Sequence, residues 1–187
     1  MRKLILEEWV SLDGYAEDKD GKLDFFPDTE ANKFSDEDQL KFLESVDTIL
    51  LGRKTYEIFV DFWPTEKSEN EIIADRLNEI PKIVLSNTLD KAPWGKWPDA
   101  EIVSGDAVEE IKKLKSQSGK KIVIWGSISM AQELLKANLI DEIHLQICPT
   151  VVGGGRLLFP DADVYKNFTL SDVKKYNTGV VNLHYLS

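Results

Sequence analysis

Short apolar runs alternate along this chain with stretches in which apolar residues recur at helical spacing. That alternation is the pattern of an α/β domain. The runs that read as strands are KLILEEWV (3–10), VDTILLG (46–52), PKIVLSN (81–87), AEIVSG (100–105), KKIVIWG (120–126) and DEIHLQICPTVV (141–152). FTLSDVKKYN (168–177) and GVVNLHYL (179–186) follow, and their break at Thr178 and Gly179 predicts a C-terminal antiparallel hairpin. The middle runs are continuously apolar, as strands of a sheet covered on both faces are.

Helix starts are marked by capping residues. Ser35 precedes Leu40, Leu43 and Val46, which are spaced three apart and predict one apolar helix face. Asp106 with Glu109 has capping-box spacing ahead of Ile111 and Leu114, and Ser129 with Gln132 has it ahead of Leu134, Leu135 and Leu139. Gly105 and Gly126 end the strands that feed these two helices, so a strand, glycine turn and helix start recur. No internal repeat or low-complexity linker interrupts the pattern, which predicts a single domain over residues 1–187.

Composition narrows the classes of function. A 42% hydrophobic, 30% charged chain is an ordinary globule able to bury a full core. A formal net charge of -10 argues against nucleic acid and against an anionic membrane surface as partners. An anionic small ligand stays open, because local cations and helix N-termini act over short distances. Cys148 is the only cysteine, so there is no disulfide framework, and one cysteine with two histidines shows no metal-ligand spacing. The start MRKLILEEWVSLDG is acidic too early for a signal peptide, and no apolar run reaches the roughly 20 residues of a membrane span. A cytoplasmic, bacterial-type enzyme or binding protein is expected.

Five stretches carry candidate chemistry. Gly52-Arg53-Lys54-Thr55 ends a strand and opens the helical stretch RKTYEIFVDFW. Cations at a helix start oppose the macrodipole, so they either make a solvated basic turn or await an anion such as phosphate. Trp125-Gly126-Ser127-Ile128-Ser129 is either a plain turn with a serine cap or a place where a diphosphate approaches the backbone. Val10-Ser11-Leu12-Asp13-Gly14 is either an Asp-Gly turn or a ligand contact at the carboxyl edge of the sheet. The acids Asp36, Glu37 and Asp38 suit the first turn of a helix through its dipole, or one of them is a proton donor facing a cleft. Gly153-Gly154-Gly155-Arg156 lacks phosphate-loop spacing and reads as a loop or ligand-edge turn. His144 and His184 lie within strands and read as packed side chains rather than bases.

Together, VSLDGYAED, LLGRKTYE with FWP, KIVLSN and IVIWGSISMAQELLKANLIDEIHLQICPTVVGGGRLLF resemble the bacterial dihydrofolate reductase-like proteins. The resemblance is closest to the C-terminal reductase domain of the bifunctional riboflavin-biosynthesis protein and its stand-alone relatives. It implies a mostly parallel central sheet with helices on both faces, an antiparallel C-terminal hairpin, and NADPH as cofactor. It implies that Gly52, Arg53, Lys54 and Thr55 hold cofactor phosphates and that Ser86 and Asn87 lie near the 2′-phosphate. It implies too that Gly126, Ser127 and Ile128 meet the diphosphate and that Ser11, Asp13 and Gly14 begin the substrate side. Asp13 would orient substrate. Asp36, sixteen residues before Gly52, would be the proton donor. The chain departs from the riboflavin reductases at Ile124, where they usually carry an acid, and at Trp125, where they carry the first of two glycines.

The expected function is hydride transfer from NADPH to a C=N or C=O bond of a small heterocyclic or sugar-like substrate. The nearest reaction is that of 5-amino-6-(5-phosphoribosylamino)uracil reductase, or of an orphan relative. Dihydrofolate reduction and a non-catalytic NADPH-binding sensor are the alternatives. A small heterocycle is the expected partner, and a homodimer is expected through strand edges near the C-terminus.

Overall fold

The computed structural model describes residues 1–27, 29–159 and 165–187. In chain order its elements begin β1 (Leu4–Val10), β2 (Tyr15–Asp18), α1 (Thr29–Glu44), β3 (Val46–Gly52), α2 (Arg53–Val60), α3 (Ala74–Glu79), β4 (Lys82–Leu85) and β5 (Glu101–Val103). They continue with α4 (Ala107–Ser116), β6 (Lys121–Trp125), α5 (Ile128–Lys136), β7 (Glu142–Ile147), β8 (Gly155–Leu157), β9 (Thr169–Lys175) and β10 (Val181–Leu186).

Eight strands form one sheet in the order β5-β4-β3-β6-β1-β7-β10-β9. The pairs from β5 through β7 are parallel, and β10 pairs antiparallel with β7 and β9. The expected α/β architecture and terminal hairpin are therefore present. A second sheet of β2 and β8, antiparallel, was not expected from the sequence. Both strands are short, and Gly155 carries no side chain to make a pattern. A Cβ at Gly155 would meet the Glu17 carbonyl oxygen at 2.1 Å, so this pairing requires glycine there.

Alternation along the strands sends side chains to two cores. Leu4, Leu6, Leu50, Ile122 and Ile124 pack with Ile111 of α4 and with Met130, Ala131 and Leu134 of α5. Ile5, Ile49, Leu51, Val123 and Trp125 pack with Leu43 of α1, Tyr56 of α2 and Leu77 of α3. Both faces are covered, as continuous apolar strands require. The pattern breaks in β1, where Glu7 and Glu8 follow Leu4-Ile5-Leu6. There the sheet stops being core and becomes the floor of a cavity. At the opposite edge every residue of β9 is exposed, and Lys174 and Lys175 give that edge the charge that discourages unplanned strand pairing.

Three expected boundaries are corrected. Helix α1 begins at Thr29, not near Ser35, because its first two turns are polar and carry little apolar periodicity. Asp36, Glu37 and Asp38 therefore lie beyond the first turn, where the macrodipole has faded. Val46 is the first residue of β3 rather than part of the α1 face. Helix α5 is capped by Ser127, whose hydroxyl accepts from the Met130 N–H, rather than by Ser129. The Asp106 cap of α4 is as expected, with its carboxylate accepting from the Glu109 N–H at 3.0 Å.

Candidate active site

The carboxyl ends of β1, β3, β4, β5 and β6 open into one cavity of about 1130 Å³. Parallel sheets place ligands at this edge, and the volume exceeds that of a typical single small-ligand pocket, about 300–1,000 Å³. Two strand-to-helix turns form its centre. Gly52 ends β3 and is the N-cap of α2, with no side chain satisfying the first N–H groups of that helix. Gly126, at φ +55, follows β6, and its peptide bond to Ser127 is cis.

The two turns interlock. A Cβ at Gly52 would lie 2.3 Å from the Ser127 Cβ, and one at Gly126 would lie 2.4 Å from the Thr55 Oγ1. Each glycine thus makes room for a hydroxyl residue of the other turn. The result brings two helix N-termini side by side, an arrangement that favours anions.

Arg53 is exposed at the start of α2. Its Nε donates to Glu57 at 2.8 Å and its Nη1 to Thr88 Oγ1 at 2.9 Å. Ser86 Oγ accepts from the N–H groups of Thr88 and Leu89 at 3.2 Å, which shapes the turn after β4. Asn87 Oδ1 accepts from the Gly105 N–H at 2.8 Å and ties the ends of β4 and β5 together. Arg53, Ser86, Asn87, Thr88 and Gly105, with Lys54 and Thr55, line the cavity. Ser127 lines it too, as does Ile128, which also packs into the core beneath α5. Thr88 was not singled out in the sequence, because a lone threonine after a strand has no pattern.

A second region lies where α1 crosses β1 and β7. Glu7, 4% exposed, accepts from Trp125 Nε1 at 2.5 Å and from Gln39 Nε2 at 2.7 Å. Trp125 therefore lies against the floor, its indole fixed by a carboxylate, with Phe59 beside it. Phe26 packs on Trp9, ring centroids 5.5 Å apart. Behind Glu7, His144 stacks on His184 at 3.8 Å and lies 3.6 Å from Glu142, which Lys3 and Lys121 also reach. Burial alone would lower the His144 pKa; Glu142 and Glu7 outweigh it and raise it. The histidines are packed side chains, as the sequence reading had them.

The three acids of α1 take different surroundings. Asp38 is bound by Lys174 and by Tyr176 Oη, anchoring α1 to the terminal hairpin. Glu37 faces solvent. Asp36 lines the cavity, where burial, and then Glu71, push its pKa up to about 6. Glu8, on the other face of β1, accepts from the Gly126 N–H at 2.6 Å. Burial pushes its pKa up to about 8, so it holds a proton at neutrality. The charged pair inside the strand LILEEWV was the available signal for this carboxyl.

The S-L-D-G stretch is placed differently from expectation. Ser11, Asp13 and Gly14 are not among the residues lining the cavity. Asp13 accepts from Ser11 Oγ at 2.7 Å, from the Val152 N–H at 3.1 Å and from the Gly153 N–H at 2.8 Å. Its carboxylate, held at about 2 first by the Ser11 hydrogen bond, is committed to the loop before β8. A catalytic or substrate-orienting role for Asp13 is therefore replaced by a loop-holding one. Arg156, at the far end of that loop, does line the cavity. Among the described residues no group of three or more metal-ligating side chains occurs, and no helix is long and apolar enough to cross a membrane.

Comparison with known proteins agrees with this architecture. The family model described as the RibD C-terminal domain matches residues 2–182. The Bacillus subtilis (strain 168) protein YyaP is 30% identical over 190 aligned positions, covering 98% of this chain and 94% of YyaP. Among solved structures, a putative riboflavin biosynthesis protein from Shewanella sp. PV-4 is 27% identical with a TM-score of 0.74, covering 98% of each chain. Dihydrofolate reductase from Enterococcus faecalis, solved in complex with NADP(H) and RAB-propyl, shares the fold at 20% identity and a TM-score of 0.60, covering 98% of this chain and 95% of that one.

Proposed function

This chain belongs to the RibD C-terminal domain family, and we propose that it is an NADPH-dependent reductase of a small heterocycle. The observation that carries this reading is the interlocked pair of glycine turns, with Arg53 drawn onto Thr88 beside Ser86. The paired helix N-termini suit a diphosphate. Arg53, Lys54 and Ser86 suit a 2′-phosphate, for which a guanidinium offers two parallel donors. When bound, the cofactor supplies the hydride.

The chain's own residues then hold the substrate ring and deliver a proton. Asp36 faces the cavity with a raised pKa, so it retains a proton close to neutrality and can return it to a nitrogen or oxygen of the reduced bond. Trp125, fixed by Glu7, narrows the floor where the riboflavin reductases have glycine. Among the described residues, the cations lining the cavity are Arg53, Lys54 and Arg156. The departures at Ile124 and Trp125 favour an orphan relative over the phosphoribosylated uracil reaction, with Arg156 left to meet an anionic group of the substrate.

Titration of intrinsic tryptophan fluorescence with NADPH and NADH tests the cofactor site. Arg53→Ala should weaken NADPH by about tenfold or more while changing NADH little, given the strength of a charge-assisted hydrogen bond. Equal loss for both cofactors would sink the assignment. NADPH binding without oxidation against any heterocycle would instead favour the sensor reading.

A further inference from the structure

Gln146 is a polar side chain that the fold holds at the cavity wall without a protein partner. It sits on β7, is 5% exposed, and lines the cavity. Its side-chain amide has no hydrogen-bond partner among the described residues. An amide at a cavity wall with no protein partner keeps its donors and acceptor for what enters.

Its surroundings define what that is. Trp9 of β1 and Asn182 of β10 are its register partners, so the three share one face of the sheet. Beside it, Asn182 Oδ1 is buried without a partner. Two residues back along the strands, on the same face, stand Glu7 and His144. Helix α1 lies over this face, with Phe42 against His144 and Gln39 bonded to Glu7. One turn earlier on α1, Asp36 lines the same cavity. Trp9, with Phe26 packed on it, supplies an aromatic surface at the level of Gln146.

We infer that Gln146 reads the lactam edge of a planar N-heterocyclic substrate. A carboxamide offers one donor and one acceptor side by side, and a ring –NH–C(=O)– edge offers the complement, so two parallel hydrogen bonds form. A flat ring placed to make them contacts the Trp9 indole and leaves its other edge toward Asp36. Gln146 is then a specificity-determining residue, selecting rings that carry a free lactam N–H next to a carbonyl. This deepens the reductase reading and rests on it only for the chemistry that follows binding.

The test is calorimetric titration of cofactor-free protein with lumazine, a fused pyrimidinedione, and with its dimethylated counterpart, which has no ring N–H. Wild type should prefer lumazine by about tenfold, the effect of leaving a buried amide unsatisfied. Gln146→Met, close in volume and unable to make the paired bonds, should bind both rings equally while keeping the wild-type melting temperature and NADPH affinity. Equal binding of both rings by wild type, binding of neither, or an undiminished preference in Gln146→Met would overturn the inference. A lumazine preference that disappears in Gln146→Met in a protein that fails to bind NADPH would support it while sinking the reductase reading.

Discussion

Substituting Gly52 by alanine isolates the contact on which the proposed cofactor site is built. Gly52 has φ -82 and ψ 163, a conformation alanine adopts freely, so no backbone strain is introduced. The added Cβ would instead meet Ser127 Cβ at 2.3 Å and Oγ at 2.8 Å. Favourable carbon–carbon contacts lie at about 3.5–4.0 Å. One turn must therefore move. Overpacking of this kind costs about 1–3 kcal/mol, and so short a contact belongs at the upper end. At about 2–4 °C per kcal/mol for a chain of this size, Gly52→Ala should lower the melting temperature by roughly 6–12 °C.

The compensating change is Ser127→Gly. It removes both clashing atoms and leaves Ser127 Cα, 3.6 Å away, as the nearest neighbour, an ordinary contact. Alone it replaces a serine cap by glycine, which costs a few tenths of a kcal/mol, roughly. The double variant should recover most of the loss in stability and in NADPH affinity, giving a coupling energy of about 2 kcal/mol. Urea denaturation of the four proteins measures the cycle. Additive effects, or a Gly52→Ala protein as stable as wild type, would refute the claim that the two turns are packed into one unit.

Three further outcomes follow from the same geometry. Asp36 has its pKa raised from the ordinary 3.8 to about 6, so the folded chain holds that proton more tightly and stability falls as pH rises through this window. Asp36→Asn should gain stability over wild type from about pH 4 to pH 6 and above, and should lose turnover; an equal offset at every pH in thermal melts would contradict this. Glu7→Leu strands the Trp125 N–H and the Gln39 amide, and guanidinium unfolding should show a loss of about 3 kcal/mol or more, against under 1 if the network is incidental. Lys82 Nζ donates to the carbonyls of Leu77 and Asn78, and burial lowers its pKa from 10.5 to about 7. Wild-type stability should therefore gain a contribution as pH rises through that interval, and Lys82→Met should abolish the gain; urea midpoints that climb identically in both proteins would speak against it.

The sheet was legible because β3, β4 and β6 are continuous apolar runs and because the Thr178–Gly179 break sets the hairpin. The two interlocked turns were legible for a related reason: Gly52 and Gly126 stand at strand ends, where glycine has a steric task. The region where β1, β7 and α1 meet was much less so. Glu7, Trp9 and Gln146 are residues of strands, and only the register of β1 with β7 brings them to one face. Asp36 was named on spacing, but its surroundings were misjudged, because the polar first turns of α1 hid where the helix begins. Asp13 was named from an Asp-Gly turn whose hydrogen-bonding partners, Val152 and Gly153, lie far along the chain. Contacts between distant segments carry no local pattern, and this region consists mostly of them.

The central claim is that the two glycine turns hold the phosphates of NADPH, and a crystal structure of the protein with NADPH bound tests it most directly. The account predicts the diphosphate between Gly52–Arg53 and Gly126–Ile128, the 2′-phosphate within hydrogen-bonding reach of Arg53 and Ser86, and the nicotinamide directed toward the cavity floor near Trp125. A cofactor bound elsewhere on the chain, or phosphates turned away from both turns, would contradict it.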